Sequence, residues 1–570
     1  MDHTLKEAFD SSTNLTTCVE CPTMLLSPLI LPLLSTVSLS EAPSLLAMVP
    51  EDAYALVHCR DISQLRARAD RNDWYRLLGT QHGEPFMGAF AQAVQTEAHG
   101  DLDELLAMAD ALEGEVVFFD AGSVAGFITT PPANRDHLVQ LVSEWLPEDG
   151  AVKQPLLEVD GSSIQLAAWP ADINGWEGRK GHFAAFVDHP EMIAIYSGDS
   201  LEAVTAALTE CLPRFGRERR VPLVSSYLKS GGGQGAGPEA FIDFTPLVDA
   251  AEAELKRAVE GVLPDPTDLL GLEKGTWLHV SADLFPGARV DCNATLHIPP
   301  GTLAASLADT YKPLPHALPS NLPKSVWGLY ALHWDIKEFY GRARAAVEKA
   351  GRGEAFETLD SGLEISRGYA DVDPVVDVLN QLAGDFAVYM IEPEQPGDGL
   401  PTSDERQFTM LGIYAGLLDG EAFHAAIEKL FDAGGLANVF DMQEVAGVDA
   451  YVIDEEDEFD GGIAFMPQAF SIAISRRVLE RSLRALSRAE GASLIDGSRM
   501  QAAIDENSGA CFLACVEMAP LREYMFSGSA GDMRLPPLQE GQPARDPFDS
   551  QLVTSARRTK TGFTFRLLTR

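Results

Sequence analysis

The chain is poor in cysteine, in positive charge and in long apolar runs, and each shortage removes a class of protein. Seven cysteines are spread over 570 residues, at 18, 21, 59, 211, 292, 511 and 515. They show no framework spacing, which excludes a disulfide-built fold. Cys18 and Cys21 form one C-x-x-C, but a tetrahedral zinc site needs a second pair at matching spacing and none follows. Cys511 and Cys515 lie four apart in an apolar stretch. On a strand they share a face and read as small buried hydrophobes.

Lys and Arg total 43 against 85 Asp and Glu, a net charge of −42. So acidic a surface repels phosphate backbones and anionic lipid, which argues against a nucleic-acid partner. The one dense basic run, Arg214–Arg220, carries no aromatic beyond Phe215 and reads as a solvated loop.

The apolar run Leu25–Leu34 is interrupted by Pro28 and Pro32. It is shorter than the about 20 residues a membrane helix needs, and no later run is long enough, so no stable membrane span is expected. Residues 1–40 read as a leader with a signal segment at 24–40, "MLLSPLILPLLSTVSLS". A short apolar core followed by small residues is the pattern of a secretory signal. Ser38 and Ser40 would precede a cut before Glu41. Against this, no Lys or Arg stands directly before the run, which leaves translation starting at either Met1 or Met24. A cleaved product is extracytoplasmic, periplasmic or secreted; an uncleaved one is cytoplasmic.

Motifs of known chemistry are also missing. The chain has no H-E-x-x-H, no P-loop and no G-x-S-x-G. "SGGGQGAGP" (230–238) is glycine-rich, but a strand follows it where a phosphate site needs a helix N-terminus; it reads as a flexible loop. "SYLK", Ser226 to Lys229, and "KTG", Lys560 to Gly562, match two motifs of penicillin-recognising serine enzymes. One helical turn would bring Lys229 to Ser226. The third motif, Ser-x-Asn, occurs nowhere, so a serine hydrolase is an alternative reading only. The acids of "DEEDEFDGG", within 454–460, would suit a hard divalent cation. They miss the EF-hand spacing, which leaves a cation-dependent adhesin as a second alternative. His58 and His333 sit at strand ends without a His or Cys partner and read as packing or capping residues. No catalytic, cofactor-binding or metal residue is nominated, and no cofactor is expected.

What is present is a repeat. Composition is globular, at 46% hydrophobic and 22% charged residues, and the length allows about two to four domains. "IAIYSGDSLEAVTAAL" (193–208) returns as "IAISRRVLERSLRAL" (472–486). Each reads as a strand, a turn and an amphipathic helix. "LEVDGSSIQLAAW" (157–169) returns as "QEVAGVDAYVIDE" (443–455), "LEGEVVFF" (112–119) as "LAGDFAVY" (382–389), and "FIDFTPL" (241–247) as "ACVEMAPL" (514–521). The order is the same in both halves. This points to a leader at 1–40, a first α+β unit at 41–310, a Pro-rich linker at 311–325 and a second α+β unit at 326–570. The second unit would be a duplication of the first. Each is expected to be a mainly antiparallel sheet with helices packed on one face.

"MVPEDAYALVHCRDISQL" (48–65), with "GEVVFF", "MIAIYSGDSLEAVTAAL" and "FIDFTPL" after it, resembles a broad set of uncharacterised bacterial exported proteins that carry domains of unknown function. The resemblance runs over most of 48–570. It implies an extracytoplasmic protein and transfers no catalytic residue. The reading that results is a non-catalytic exported protein with a binding or envelope-structural role, its partner an unidentified protein or envelope component.

Overall fold

The computed structural model describes residues 44–80, 107, 109–145, 152–153, 157–159, 162–169, 182–215, 221–235, 237–246, 248–249, 274–349, 357–391, 410–435, 439–453, 460–494, 499–520 and 546–569. The leader, Cys18, Cys21, residues 216–220 and the acids at 454–459 lie outside them. The chain divides into two compact units. Unit 1 is Met1–Asp243, Leu278–Cys292 and Leu535–Pro547; unit 2 is Phe244–Trp277, Asn293–Arg534 and Phe548–Arg570.

The strands of the first half are β1 (Ala55–Cys59), β2 (Val116–Asp120), β3 (Val124–Thr129), β4 (Val152–Lys153), β5 (Leu157–Val159), β6 (Ser162–Trp169), β7 (His182–His189), β8 (Met192–Gly198) and β9 (Glu239–Asp243). They pair antiparallel in the order β9-β1-β2-β3-β8-β7-β6, with β5 and β4 both along β6. β10 (Trp277–Leu284) pairs with β9, and β11 (Val290–His297) follows.

The remaining strands are β12 (Val326–His333), β13 (Leu382–Ile391), β14 (Leu411–Leu417), β15 (Asp441–Val445), β16 (Val448–Val452), β17 (Gly462–Met466), β18 (Ala469–Ala473), β19 (Phe512–Glu517), β20 (Gln551–Thr559) and β21 (Gly562–Thr569). All belong to unit 2. Their order is β21-β20-β19-β12-β13-β14-β18-β17-β16-β15, again antiparallel throughout. An α+β architecture with a large antiparallel sheet is therefore present.

Local chemistry explains the repeated phrases. After β8, Ser200 adopts an extended backbone and its side chain accepts from Ala203 N, starting the helix Leu201–Cys211. After β18, Ser475 does the same with Val478 N, starting the helix Arg476–Leu486. Both are N-caps that satisfy a donor the first turn leaves unused. The first helix buries Val204, Leu208 and Cys211; the second buries Val478, Leu479 and Leu483 and turns its arginines outward. Each buried leucine contributes roughly 1.5–3 kcal/mol. The Glu-Val-x-Gly stretches are hairpins whose last pairs are Val159 with Ser162 and Val445 with Val448. Ala446 and Gly447 both take positive φ, the geometry of a two-residue type I′ turn.

Unit 1 has a core around Val57, Leu65, Val116, Leu138 and Ile193. Unit 2 has one around Leu329, Tyr389, Ala450, Leu479 and Leu513, joined by Leu318 and Leu322 of the Pro-rich stretch. Cys511 and Cys515 are buried free thiols, as their spacing implied. No helix among the described residues is long and apolar enough to cross a membrane.

Candidate functional site

Among the described residues, one interior cluster of polar side chains in each unit includes an acid just after a glycine at the head of a strand. In unit 1 the place is the C-terminal end of β1. His58, 4% exposed, lies opposite Glu239 of β9, itself 3% exposed. Tyr227 joins them from the helix Pro222–Lys229 and is fully buried. The Tyr227 hydroxyl donates to Glu239 Oε2 at 2.8 Å and lies 2.9 Å from His58 Nδ1. His58 Nε2 meets Glu115 Oε1 at 3.1 Å, and His279 Nε2 meets Glu239 Oε2 at 3.1 Å. His279 Nδ1 lies 3.1 Å from Ser230 Oγ.

Counting protons assigns the roles. Tyr227 gives its only hydroxyl proton to Glu239, and Ser230 gives its own to the Tyr227 carbonyl. Each histidine thus sets its Nδ1 against a hydroxyl and its Nε2 against a carboxyl oxygen, so the members of the cluster bond to one another. Glu239 also accepts from the amides of Gly233 and Gly235, each at 2.8 Å. Burial alone would raise the Glu239 carboxyl above its ordinary range; the bonds from His279, Tyr227, Gly233 and Gly235 outweigh burial and hold it below. Burial, then the neighbouring Glu239 charge, pushes the Tyr227 phenol far up, so it stays protonated. Expected as a flexible loop, the glycine-rich segment is instead tied down on Glu239.

In unit 2 the place is the start of β13. Leu382 pairs with Leu417 and Phe386 with Ala415, so residues 383–385 bulge against Gly416 alone. Gly384 takes φ +95°, open to glycine and strained for other residues. A bulge of this kind re-aims the side chain beside it. Here that side chain is Asp385, 8% exposed. It crosses over Gly416, where any Cβ would collide with Asp385 Oδ1. Tyr414 donates to Asp385 Oδ2 at 2.8 Å, and Asn321 Nδ2 donates to the Tyr414 oxygen at 2.9 Å. Burial, then the Asp385 charge, raises the Tyr414 phenol, which keeps its proton for Asp385. Asp385 Oδ1 accepts nothing from the described residues. It lies on an open cavity of about 820 Å³ whose wall includes Leu417, Met466, Leu486, Gln468 and Arg488.

The residues singled out from sequence fall elsewhere, apart from His58. Ser226 is half-buried and Lys229 exposed, both in the last turn of the helix Pro222–Lys229 of unit 1. Lys560 and Thr561 form the two-residue turn of the β20–β21 hairpin in unit 2. His333 turns its Nδ1 to the Pro313 carbonyl. Among the described residues no group of three His, Cys, Asp or Glu is arranged to hold a metal ion. Sequence reasoning missed Glu115, Tyr227, Glu239 and His279, and likewise Asn321, Asp385, Tyr414 and Arg488. One signal was present: "LEGE" and "LAGD" both set a glycine before an acid at the head of matching strands.

No family model matches the chain, and no curated protein matches it. Among solved structures, crystal forms III and I of TP0453 align at a TM-score of 0.24 and 9% identity, covering 46% of this chain and 82% of that one. Crystal form IV aligns at 0.22 over 45% and 81%. Likenesses of this size carry no argument about function.

Proposed function

We propose that this is a non-catalytic binding protein that takes a small ligand in the Asp385 cavity of unit 2. The observation that carries the reading is Asp385 Oδ1, an acceptor on a buried carboxylate that faces the cavity without a partner. The open cavity lets solvent reach that oxygen, so a ligand can approach it and a donor there would make a charge-assisted bond. The cavity volume falls in the range usual for small-molecule pockets, about 300–1,000 Å³. The saturated unit 1 network supports the non-catalytic part, since its members bond to one another.

We further propose that the two units arose by duplication and that segment 24–40 exports the chain to the envelope. Common strand order from β9 to β6 and from β19 to β16, and serine caps in matching places, support the duplication. The short apolar run supports export; N-terminal sequencing of the mature chain should begin at Glu41, and an intact leader on the mature protein would refute it.

The cavity is tested by native mass spectrometry of the full chain after incubation with a metabolite extract. Leu418, 66% exposed, lines the cavity, and Leu418→Trp should fill it while leaving the melting temperature unchanged. Small-molecule adducts on the wild type that vanish in Leu418→Trp are the expected result. Adducts equal in both proteins, or none, would overturn the reading.

A further inference from the structure

The Asp385 cavity carries a second charge whose placement narrows the ligand. Arg488 also lines it, and its guanidinium makes no hydrogen bond or ion pair with the described residues. Its backbone is unusual. It follows the helix Arg476–Leu486 at φ +55°, with its amide donating to the Ala485 carbonyl at 2.9 Å. This is the helix-ending position at which glycine is commonest, because a side chain there crowds its own backbone. An arginine is held at that cost, on the cavity, with its charge unspent.

Resting on the binding reading above, we propose that the cavity binds a compact zwitterion, an amine with a carboxylate, as in a free amino acid or a short peptide. The ammonium meets Asp385 Oδ1, the oxygen left open to the cavity because Tyr414 occupies Oδ2. The carboxylate meets Arg488, whose planar fork suits it. A lone cation would satisfy Asp385 but leave Arg488 repelling it, and a lone anion would do the reverse. The apolar side chain lies against Leu417, Met466 and Leu486. A neutral polyol would leave the Arg488 charge unused.

The test is isothermal titration of the full chain at low ionic strength with named probes: L-leucine, the dipeptide Leu-Leu, 3-methylbutylamine, 4-methylpentanoate and trehalose. Leucine or Leu-Leu should bind at least about tenfold tighter than either single-charge analogue. Whichever of the two binds tighter separates the amino-acid source from the peptide source. Asp385→Asn, which keeps an acceptor for Tyr414, should weaken the zwitterion about tenfold or more. Arg488→Gln, on the surface, should weaken the zwitterion while tightening, or at least not weakening, the amine analogue. Equal affinity for amine and zwitterion, or no heat with either zwitterion, overturns the proposal. Trehalose binding lost in Asp385→Asn overturns it too, while the cavity reading survives. That reading fails on its own terms only if mass spectrometry finds no adduct blocked by Leu418→Trp.

Discussion

The two units place an acid at the same point and give it different partners. In unit 1, Gly114 and Glu115 stand two residues before Val117, which pairs with His58, which in turn pairs with Glu239. In unit 2, Gly384 and Asp385 stand two residues before Ala387, which pairs with Ala331, which pairs with Leu513. The unit 1 row thus carries a histidine and a glutamate where the unit 2 row carries an alanine and a leucine. On the other side, Val117 pairs with Ile128 while Ala387 pairs with Tyr414. Glu115 is therefore met by a histidine from the first strand, and Asp385 by a tyrosine from the third. One histidine brings Tyr227, Glu239 and His279 with it and closes the network. Its absence in unit 2 leaves an oxygen open to the cavity. Similar strand orders thus hold a cluster whose members bond to one another in one unit and, in the other, an acid with one oxygen open to a cavity.

The largest way to break this contrast is at Glu239. Glu239→Ala strands the Tyr227 hydroxyl, a histidine and two amides in the interior. Removing one partner of such a buried cluster costs about 3–5 kcal/mol. Leu513→Ala, at the matching place in unit 2, costs about 2–5 kcal/mol through a cavity. The two losses differ in their pH dependence. The Glu239 carboxyl titrates lower folded than its ordinary 4.5, so its contribution is complete above that value and vanishes as pH falls through the lowered one. Urea midpoints of wild type and Glu239→Gln should differ fully above about pH 4.5 and converge as the pH falls below it. The gap between wild type and Leu513→Ala should stay constant. A constant gap for Glu239→Gln would mean the cluster is not held by its charge.

A smaller effect on stability, though a decisive one for binding, comes from importing the unit 1 partner into unit 2. Ala331→His sets an imidazole beside Asp385 as His58 stands beside Glu115. It should occupy Oδ1 and abolish ligand adducts. Overpacking at this fully buried alanine should cost about 1–3 kcal/mol. Thermal melts and mass spectrometry on the same sample check both halves. Adducts that persist in a folded variant would show that the acid's partner does not decide whether it binds.

Much of the frame was readable in the chain, and almost none of the chemistry. Apolar alternation and the spacing of Leu479, Leu483 and Leu486 give strands and helices because burial acts on residues close in sequence. The hairpin of β15 and β16 follows from its alternation about the Ala446-Gly447 turn. The clusters do not follow in this way. His58, Glu115, Tyr227, Glu239 and His279 are remote in sequence and meet only through strand order. With 85 acids in the chain, no local pattern separates Glu239 or Asp385 from the solvated ones. Even the repeated Gly-acid pair is silent until the bulge at 383–385 shows where Asp385 points.

The smallest test concerns the shared frame itself. Ser200 and Ser475 cap helices that follow β8 and β18, strands that occupy the same place in the two sheet orders. Ser200 Oγ accepts from Ala203 N at 3.1 Å and Ser475 Oγ from Val478 N at 3.4 Å. Losing either oxygen leaves one first-turn amide without its acceptor, so Ser200→Ala and Ser475→Ala should each cost about 1 kcal/mol, and Ser→Asp at either place should restore it. The longer bond at Ser475 predicts the smaller loss from the cap alone. Its greater burial, at 8% exposure, works the other way, because water cannot replace the lost acceptor there. Similar losses in chemical denaturation, each rescued by Asp, would mean that the strand–cap–helix step performs one task in both units. A loss at one site only would mean that the repeated phrase preserves a pattern of residues without preserving its job.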